Sequence, residues 1–219
     1  MAAKKAAAKA SAKRKTSAKK TTRSVLDRII DAGLDEAALS GWRNTSMDAI
    51  ASRAGVDLGE ALVLVPTKAD FALRLLDRAD ALTIADVKGV DGDDSPRDRL
   101  FEIMMRRFDV LNTHREGYRA VISGTMRDPS AAPLALCRLR RSLSMILAGA
   151  GISPDGLTGL LRIKGLAAVG AYTLRAWVKD DSADLAKTMA ALDRALAQAE
   201  RLAGFSPFRR RGKTSEAPV

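Results

Sequence analysis

The sequence predicts an all-α protein of about nine helices, and three observations carry that expectation. Apolar residues recur at spacings of three and four along most of residues 24 to 204, the period of a helix with one buried face. Ser, Thr or Asp stands just before several of those runs, where a side-chain oxygen can accept from the unpaired N–H groups of a helix start. Only residues 61 to 65 (ALVLV) read as a strand, and no second β-like run is available to pair with them.

Ser24 opens the first helix, about 24 to 40, with Val25, Leu26, Ile29, Ile30 and Leu34 at helical spacing. Gly41 ends it, and Thr45 or Ser46 caps a short second helix that turns Met47, Ile50 and Ala51 inward. Ala54, Gly55 and Val56 make a turn, and a third helix from Leu58 to Val65 is stopped by Pro66. Thr67 caps a fourth, running to about Asp86 with Phe71, Leu75, Leu76 and Ala79 on one face. The polar run VKGVDGDDS, 87 to 95, separates two lobes. It lacks the spacing and closing Glu of a calcium loop, so it reads as a solvated linker. Pro96 starts a helix ending near His114, and further helices are expected at Tyr118 to Met126, Pro133 to Leu147, Ser153 to Lys179 and Ala183 to Ala203. Ser153-Pro154 looks like a cap with Pro at the first helical position, and Ser182 like another cap. The last helix carries a stripe of Leu185, Met189, Leu192 and Leu196, which needs a partner helix.

Charge divides the chain more sharply than hydropathy does. Of the formal +11, nine positive charges precede Ser24 with no acid among them, and a net three lie in the last fifteen residues, which leaves −1 for residues 24 to 204. The folded body is therefore neutral, and attraction to phosphate or anionic lipid must come from the two ends. Residues 1 to 23 are built from Ala, Lys, Ser, Thr and Arg after the first Met, with nothing large to bury, so they read as a disordered basic arm. Such an arm suits the DNA backbone, and equally a solubilising tail. Residues 205 to 219 form a second basic tail. No apolar run approaches ~18 residues, so no membrane span is expected, and the single cysteine and absent signal sequence read as cytoplasmic.

Enzyme chemistry finds few candidates. His114 is the sole histidine and reads as a helix-end residue meeting carbonyls. Cys137, the sole cysteine, lies on an amphipathic helix and is expected in the core; one His and one Cys cannot make a zinc site. The glycines of 149 to 159 lack the ending of a phosphate loop, and Asp180, Asp181 and Asp184 are explained by capping. No metal and no cofactor is expected.

A more specific pattern spans residues 41 to 71. Gly41-Trp42, Thr45-Ser46-Met47, Ile50-Ala51, Ala54-Gly55-Val56, Gly59, Pro66-Thr67-Lys68 and Phe71 resemble the N-terminal domain of TetR-family transcriptional regulators. The resemblance implies a helix-turn-helix head at 24 to 66, whose second helix faces the major groove, on a helical body at 67 to 204 that dimerises and holds an effector. It points to Arg43, Thr45, Arg53, Gly59, Val63, Leu64 and Lys68 as the DNA-facing set, joined by Lys13, Arg14, Lys15, Lys19, Lys20 and Arg23 of the arm. This chain departs from the family pattern at the recognition helix. Asp57 and Glu60 replace small or hydroxyl residues, and Leu62 to Val65 replace Tyr, polar, His or Tyr, and Phe, leaving almost no donors for base edges. Binding dominated by phosphate contacts is therefore expected.

A second resemblance covers the C-terminal third. Trp177, Asp180, Ser182, Asp184, Thr188 and Leu192-Asp193-Arg194 resemble the end of the lipid-binding accessory protein of ubiquinone biosynthesis. That family has a TetR-like fold whose helix-turn-helix no longer serves DNA, and the resemblance implies an isoprenoid ligand and a membrane-touching C-terminal segment, here Phe205 to Arg211. The same residues also read as a helix connection held by caps and one aromatic. An apolar ligand pocket is expected among Met104, Met105, Phe108, Met126, Met145 and Tyr172, with an ordinary packed core as the alternative and no buried charge nearby. A homodimer is expected through Leu185, Met189, Leu192 and Leu196, with small residues Gly165, Ala167, Ala168, Gly170 and Ala171 allowing close approach.

Overall fold

The computed structural model describes residues 24–85, 87 and 94–204, and among them every regular element is a helix. They are α1 (Val25–Ser40), α2 (Met47–Ala54), α3 (Leu58–Leu64), α4 (Lys68–Ile84), α5 (Pro96–Asn112), α6 (Arg115–Met126), α7 (Ala132–Gly149), α8 (Gly156–Val178) and α9 (Ala186–Gly204). The ALVLV run lies within α3 and its C-cap. The six arm cations from Lys13 to Arg23, the Phe205 to Arg211 segment, Asp86 and most of the Asp-Gly linker fall outside the described residues.

Several helix starts are made by hydroxyl caps, and three of these, Ser24, Ser46 and Thr67, are read from the sequence. Ser24 accepts from Asp27 N at 3.1 Å, Ser46 from Ala49 N at 3.1 Å, Thr67 from Asp70 N at 3.1 Å and Ser95 from Asp98 N at 3.1 Å, each pairing one of the N–H groups a helix start leaves over. The start of α8 is later than Ser153-Pro154 suggests. Gly156 has φ +68°, and a methyl on Gly159 would meet the Pro154 carbonyl at 2.0 Å, so residues 153 to 155 fold against the first turn instead of joining it.

Around α1 the head is assembled. Ile29, Ile30 and Leu34 of α1, Ile50 of α2, Ala61 and Val65 at α3, and Phe71 of α4 share one buried cluster, with Trp42 tilted against Phe71 at 5.1 Å between centroids. Each large apolar side chain removed from water there contributes roughly 1.5–3 kcal/mol. The opposite side of α1 lies on α6, where side chains are missing by design of the sequence: a methyl on Gly117 would come 2.5 Å from the Leu34 carbonyl oxygen, and one on Gly124 would come 2.4 Å from Trp42. Helices α4, α5 and α7 make the centre of the body, and α8 and α9 fold back on each other as a hairpin beside α5.

Asp180 holds the hairpin's connection. Fully buried, it accepts from the backbone N and the hydroxyl of Thr188, both at 2.7 Å, and from the backbone N of Ser182 at 3.1 Å and its hydroxyl. Burial alone would raise its pKa, and the Ser182 and Thr188 bonds overcome this and hold it well below the ordinary carboxylate range. The geometry keeps Leu185 at φ +55° with its side chain buried, a left-handed conformation costing about 1–2 kcal/mol for a residue with a Cβ. Cys137, expected in the core, is exposed on α7. The buried face of that helix is Ser142, Leu143, Ile146 and Leu147, so the amphipathic pattern rotates Cys137 outward.

Candidate functional site

Helix α2, the turn at Gly55 and α3 form a helix-turn-helix. Gly55 sits at φ +61°, where only glycine rests without strain, and its N–H and that of Val56 close the C-terminus of α2 on Ser52 and Ala51 carbonyls. Asp57, one of the departures from the family pattern, serves as the cap of α3: its carboxylate accepts from Gly59 N at 2.8 Å and Glu60 N at 3.4 Å. Ala61 and Val65 turn inward and are fully buried, while Val63 is 81% exposed and Leu58 and Leu62 are more than a third exposed. The outward face of α3 is thus apolar with Glu60 beside it, and it carries no donor for a base edge. The Arg28 guanidinium reaches the carbonyls of Ala54 and Gly55 at 3.3 and 3.4 Å, which places the start of α1, where the basic arm joins, against this turn.

The expected phosphate contacts divide. Arg43 is exposed at the start of the motif. Thr45 is buried: its hydroxyl donates to the Gly41 carbonyl at 3.1 Å and Ser46 is the cap of α2, so the Thr45 side chain shapes the turn. Arg53 is held by Glu36, Nε and Nη2 lying 2.9 and 2.8 Å from one carboxylate oxygen. The Lys68 ammonium donates to the Trp42 carbonyl and, at 3.2 Å, to that of Arg43, lying 4.7 Å above the Trp42 ring. Burial lowers its pKa, opposed by the nearby Asp128. Gly59 is exposed at the first turn of α3, and Leu64 is half-buried at the other end.

None of the residues expected to line a pocket lies in the walls of the two grooves described below. Met104 and Phe108 are packed in the core, Met105 and Met145 are half-buried, and Met126 and Tyr172 are about half exposed. The body also holds a buried charge pair, where the sequence pattern predicts no buried charge. Asp80 of α4 accepts from Arg107 of α5 and from Ser142 of α7, each at 2.5 Å, and all three are buried. A sign of it was present, since Asp80 follows Leu76 by one helical turn on the inward side of α4. Two grooves lie elsewhere among the described residues. A groove of about 520 Å³ runs between α1 and α4, with Leu26, Ile30, Ala81 and Leu82 among its walls. Another, of about 480 Å³, lies where the C-terminal half of α1 meets α6 and the end of α8, over Ala37, Ala120, Ile122, Leu174 and Trp177.

His114 likewise differs from expectation. It meets carboxylates, not carbonyls: its Nε2 is 3.7 Å from Asp31 and its Nδ1 3.5 Å from Asp35, both on α1. Asp31 is also paired with Arg78 of α4 at 2.7 Å, so polar contacts join head and body on this side.

Leu185, Leu192 and Leu196 are buried within the single chain, against α8 and α5, so they cannot face a second copy; Met189 alone of the expected interface is exposed, at 44%. What α8 turns outward is a line of Leu157, Leu161, Gly165, Ala168 and Tyr172 at helical spacing. Two of the small residues expected to allow close approach, Gly165 and Ala168, lie on that line, and Ala171 is exposed beside it.

No family model matches the chain, and no curated protein matches its sequence. Solved structures do match, and they define the class of fold. A TetR transcriptional regulator from Nitrosomonas europaea aligns with a TM-score of 0.68 at 22% identity, over 81% of this chain and 99% of that one. A TetR regulator from Rhodococcus aligns at 0.61 and 18% identity, over 78% and 93% of the two chains. FadR from Bacillus subtilis, determined with stearoyl-CoA, aligns at 0.56 and 19% identity over 78% and 96%. The chain has the TetR-like fold, all-α among the described residues.

Proposed function

We propose that the protein is a TetR-like transcriptional regulator that grips DNA mainly through its phosphates and is tuned by a small apolar effector. The observation that carries this reading is the helix-turn-helix itself, with α3 turned outward and the start of α1 held against its turn by Arg28. Nine cations of the basic arm directly precede α1 in the sequence. With Leu58, Leu62 and Val63 outward on α3, attraction rests on the arm and Arg43, and sequence preference is weak. The body pairs with a second copy through the outward line of α8, bringing two heads to one duplex.

A second reading, a lipid- or isoprenoid-binding accessory protein that inherited this fold, is favoured by one observation: the outward face of α3 offers apolar side chains and no hydrogen-bond donor. Deleting residues 1 to 22 and measuring DNA binding against salt separates the two. The regulator reading expects the intact chain to bind DNA with a log–log salt slope of roughly −0.9 per phosphate neutralised, and the deletion to lose most of the affinity and most of the slope. A chain that binds no DNA at low salt and copurifies with a lipid, identified by mass spectrometry, overturns it in favour of the second reading.

A further inference from the structure

The outward side of α3 is smooth and apolar. Ala61 and Val65 are buried beneath it, which puts Gly59 and Val63, four residues apart, on the centre of the opposite side. Leu58 and Leu62 flank that ridge on one edge and Glu60 on the other, all exposed. Gly59 adds no side chain, and Val63 is the most exposed apolar residue of the helix. Asp57, the acid at the helix start, already accepts from the Gly59 and Glu60 N–H groups. A face of this kind cannot recognise a base by donating hydrogen bonds. The major groove offers it one apolar group, the methyl on C5 of a pyrimidine, which thymine carries and uracil and unmodified cytosine lack. Glu60 can only accept, and the amino groups at adenine N6 and cytosine N4 donate into the same groove. Charge is what selects DNA as the occupant of this face. Nine cations precede α1 with no acid among them, Arg43 is exposed at the start of the motif, and Arg28 holds α1 near its start to the turn between α2 and α3.

We infer that α3 reads the C5-methyl group of a pyrimidine in the major groove, with Val63 as the specificity-determining residue, Leu62 beside it, and Glu60 accepting from an amino group of the same or the neighbouring base pair. This rests on the regulator reading proposed above and names what α3 recognises there. Covering one methyl changes affinity roughly two- to fourfold, a small preference added to an attraction dominated by phosphates. The two contributions respond differently to salt. Arm contacts release counterions and weaken as salt rises, whereas a methyl contact releases none, so the preference keeps its ratio while the affinity falls.

One mixed-sequence duplex is prepared in three forms: with thymine, with uracil in its place, and with uracil together with 5-methylcytosine in place of cytosine. Fluorescence anisotropy with the intact chain, at low and at raised salt, gives a dissociation constant for each. The thymine form is expected to bind roughly two- to fourfold tighter than the uracil form for each methyl covered, with the same ratio at both salt concentrations. Recovery in the third form extends the contact to the methyl of 5-methylcytosine, and no recovery confines it to that of thymine. Val63→Ser, at a position too exposed to endanger folding, is expected to bring the three forms to one affinity by weakening the methylated ones, which separates a methyl contact from any difference in duplex stiffness. Leu202→Ser, similarly exposed but on α9, is expected to keep the ratio. Equal binding of the thymine and uracil forms, or a ratio that survives Val63→Ser, overturns the inference and leaves DNA binding standing. A chain that binds none of the three at low salt fails the regulator reading itself, and if it then binds phosphatidylglycerol vesicles, the face of α3 belongs to a lipid surface.

Discussion

The carboxylate of Asp180 lies in the connection between α8 and α9, where the Thr188 and Ser182 N–H and O–H groups converge on it. Hydrogen bonds to a charged acceptor contribute roughly 1.5–3 kcal/mol each before the cost of burying the charge is set against them. Asp180→Asn keeps the shape but turns one acceptor into a donor facing Ser182 or Thr188, and it is expected to cost about 2–3 kcal/mol at neutral pH. The pH dependence has a definite sign. The folded-state pKa is depressed below the unfolded value of about 3.9, so the contribution is complete above about pH 5 and is lost as the pH falls through 4 and below. Urea unfolding of both proteins at pH 7 and pH 3 checks this: the gap between them narrows at the lower pH, and a constant gap means that charge is not what the position supplies. Other residues were less legible. Thr45 and Lys68 stand where the family pattern puts phosphate contacts, but that pattern fixes spacing and not exposure, and here both are taken up by the backbone of residues 41 to 43.

At the scale of elements, the helix starts were written plainly, because a cap is a local event between residues three apart. Ser24, Ser46 and Thr67 can be read without knowing what their helices touch. The partners of the apolar faces could not. Periodicity shows that the face of α9 carrying Leu192 and Leu196 is covered, and says nothing about whether the cover comes from the same chain. The methionines misled for a related reason: a flexible thioether fills an irregular core as readily as it lines a cavity, and Met104 does the former. The glycines of α6 answer no local need, since a helix interior has none for them; the need is α1 and the Trp42 that follows it. Gly117→Ala raises helix propensity by up to about 1 kcal/mol, yet it sets a methyl against the Leu34 backbone, which cannot rotate away as a side chain could. A net loss of about 1–2 kcal/mol is expected, with the overpacking outweighing the propensity gain. Thermal unfolding tests it, and a more stable Gly117→Ala protein would show that the seam has slack.

At the scale of the whole molecule, the exposed line on α8 makes a prediction about assembly. If two chains pair through Leu157, Leu161 and Tyr172, Leu161→Glu converts a dimer to a monomer, as read by sedimentation, and leaves helical content intact. Leu192→Lys does something different, because Leu192 is fully buried within one chain: it unfolds the hairpin and lowers the melting temperature whatever the mass. Leu161→Glu remaining dimeric excludes this face. The seam between α1 and α6 has a consequence of another kind, for how such a protein can vary over time. Glycine is the smallest residue, and at Gly117 and Gly124 it already meets its neighbour, so every replacement adds volume and none removes it. Random change at these two positions is therefore biased in one direction. It can pry the head from the body and never draw them closer, so a tighter joint would have to arise from new contacts elsewhere along the two helices.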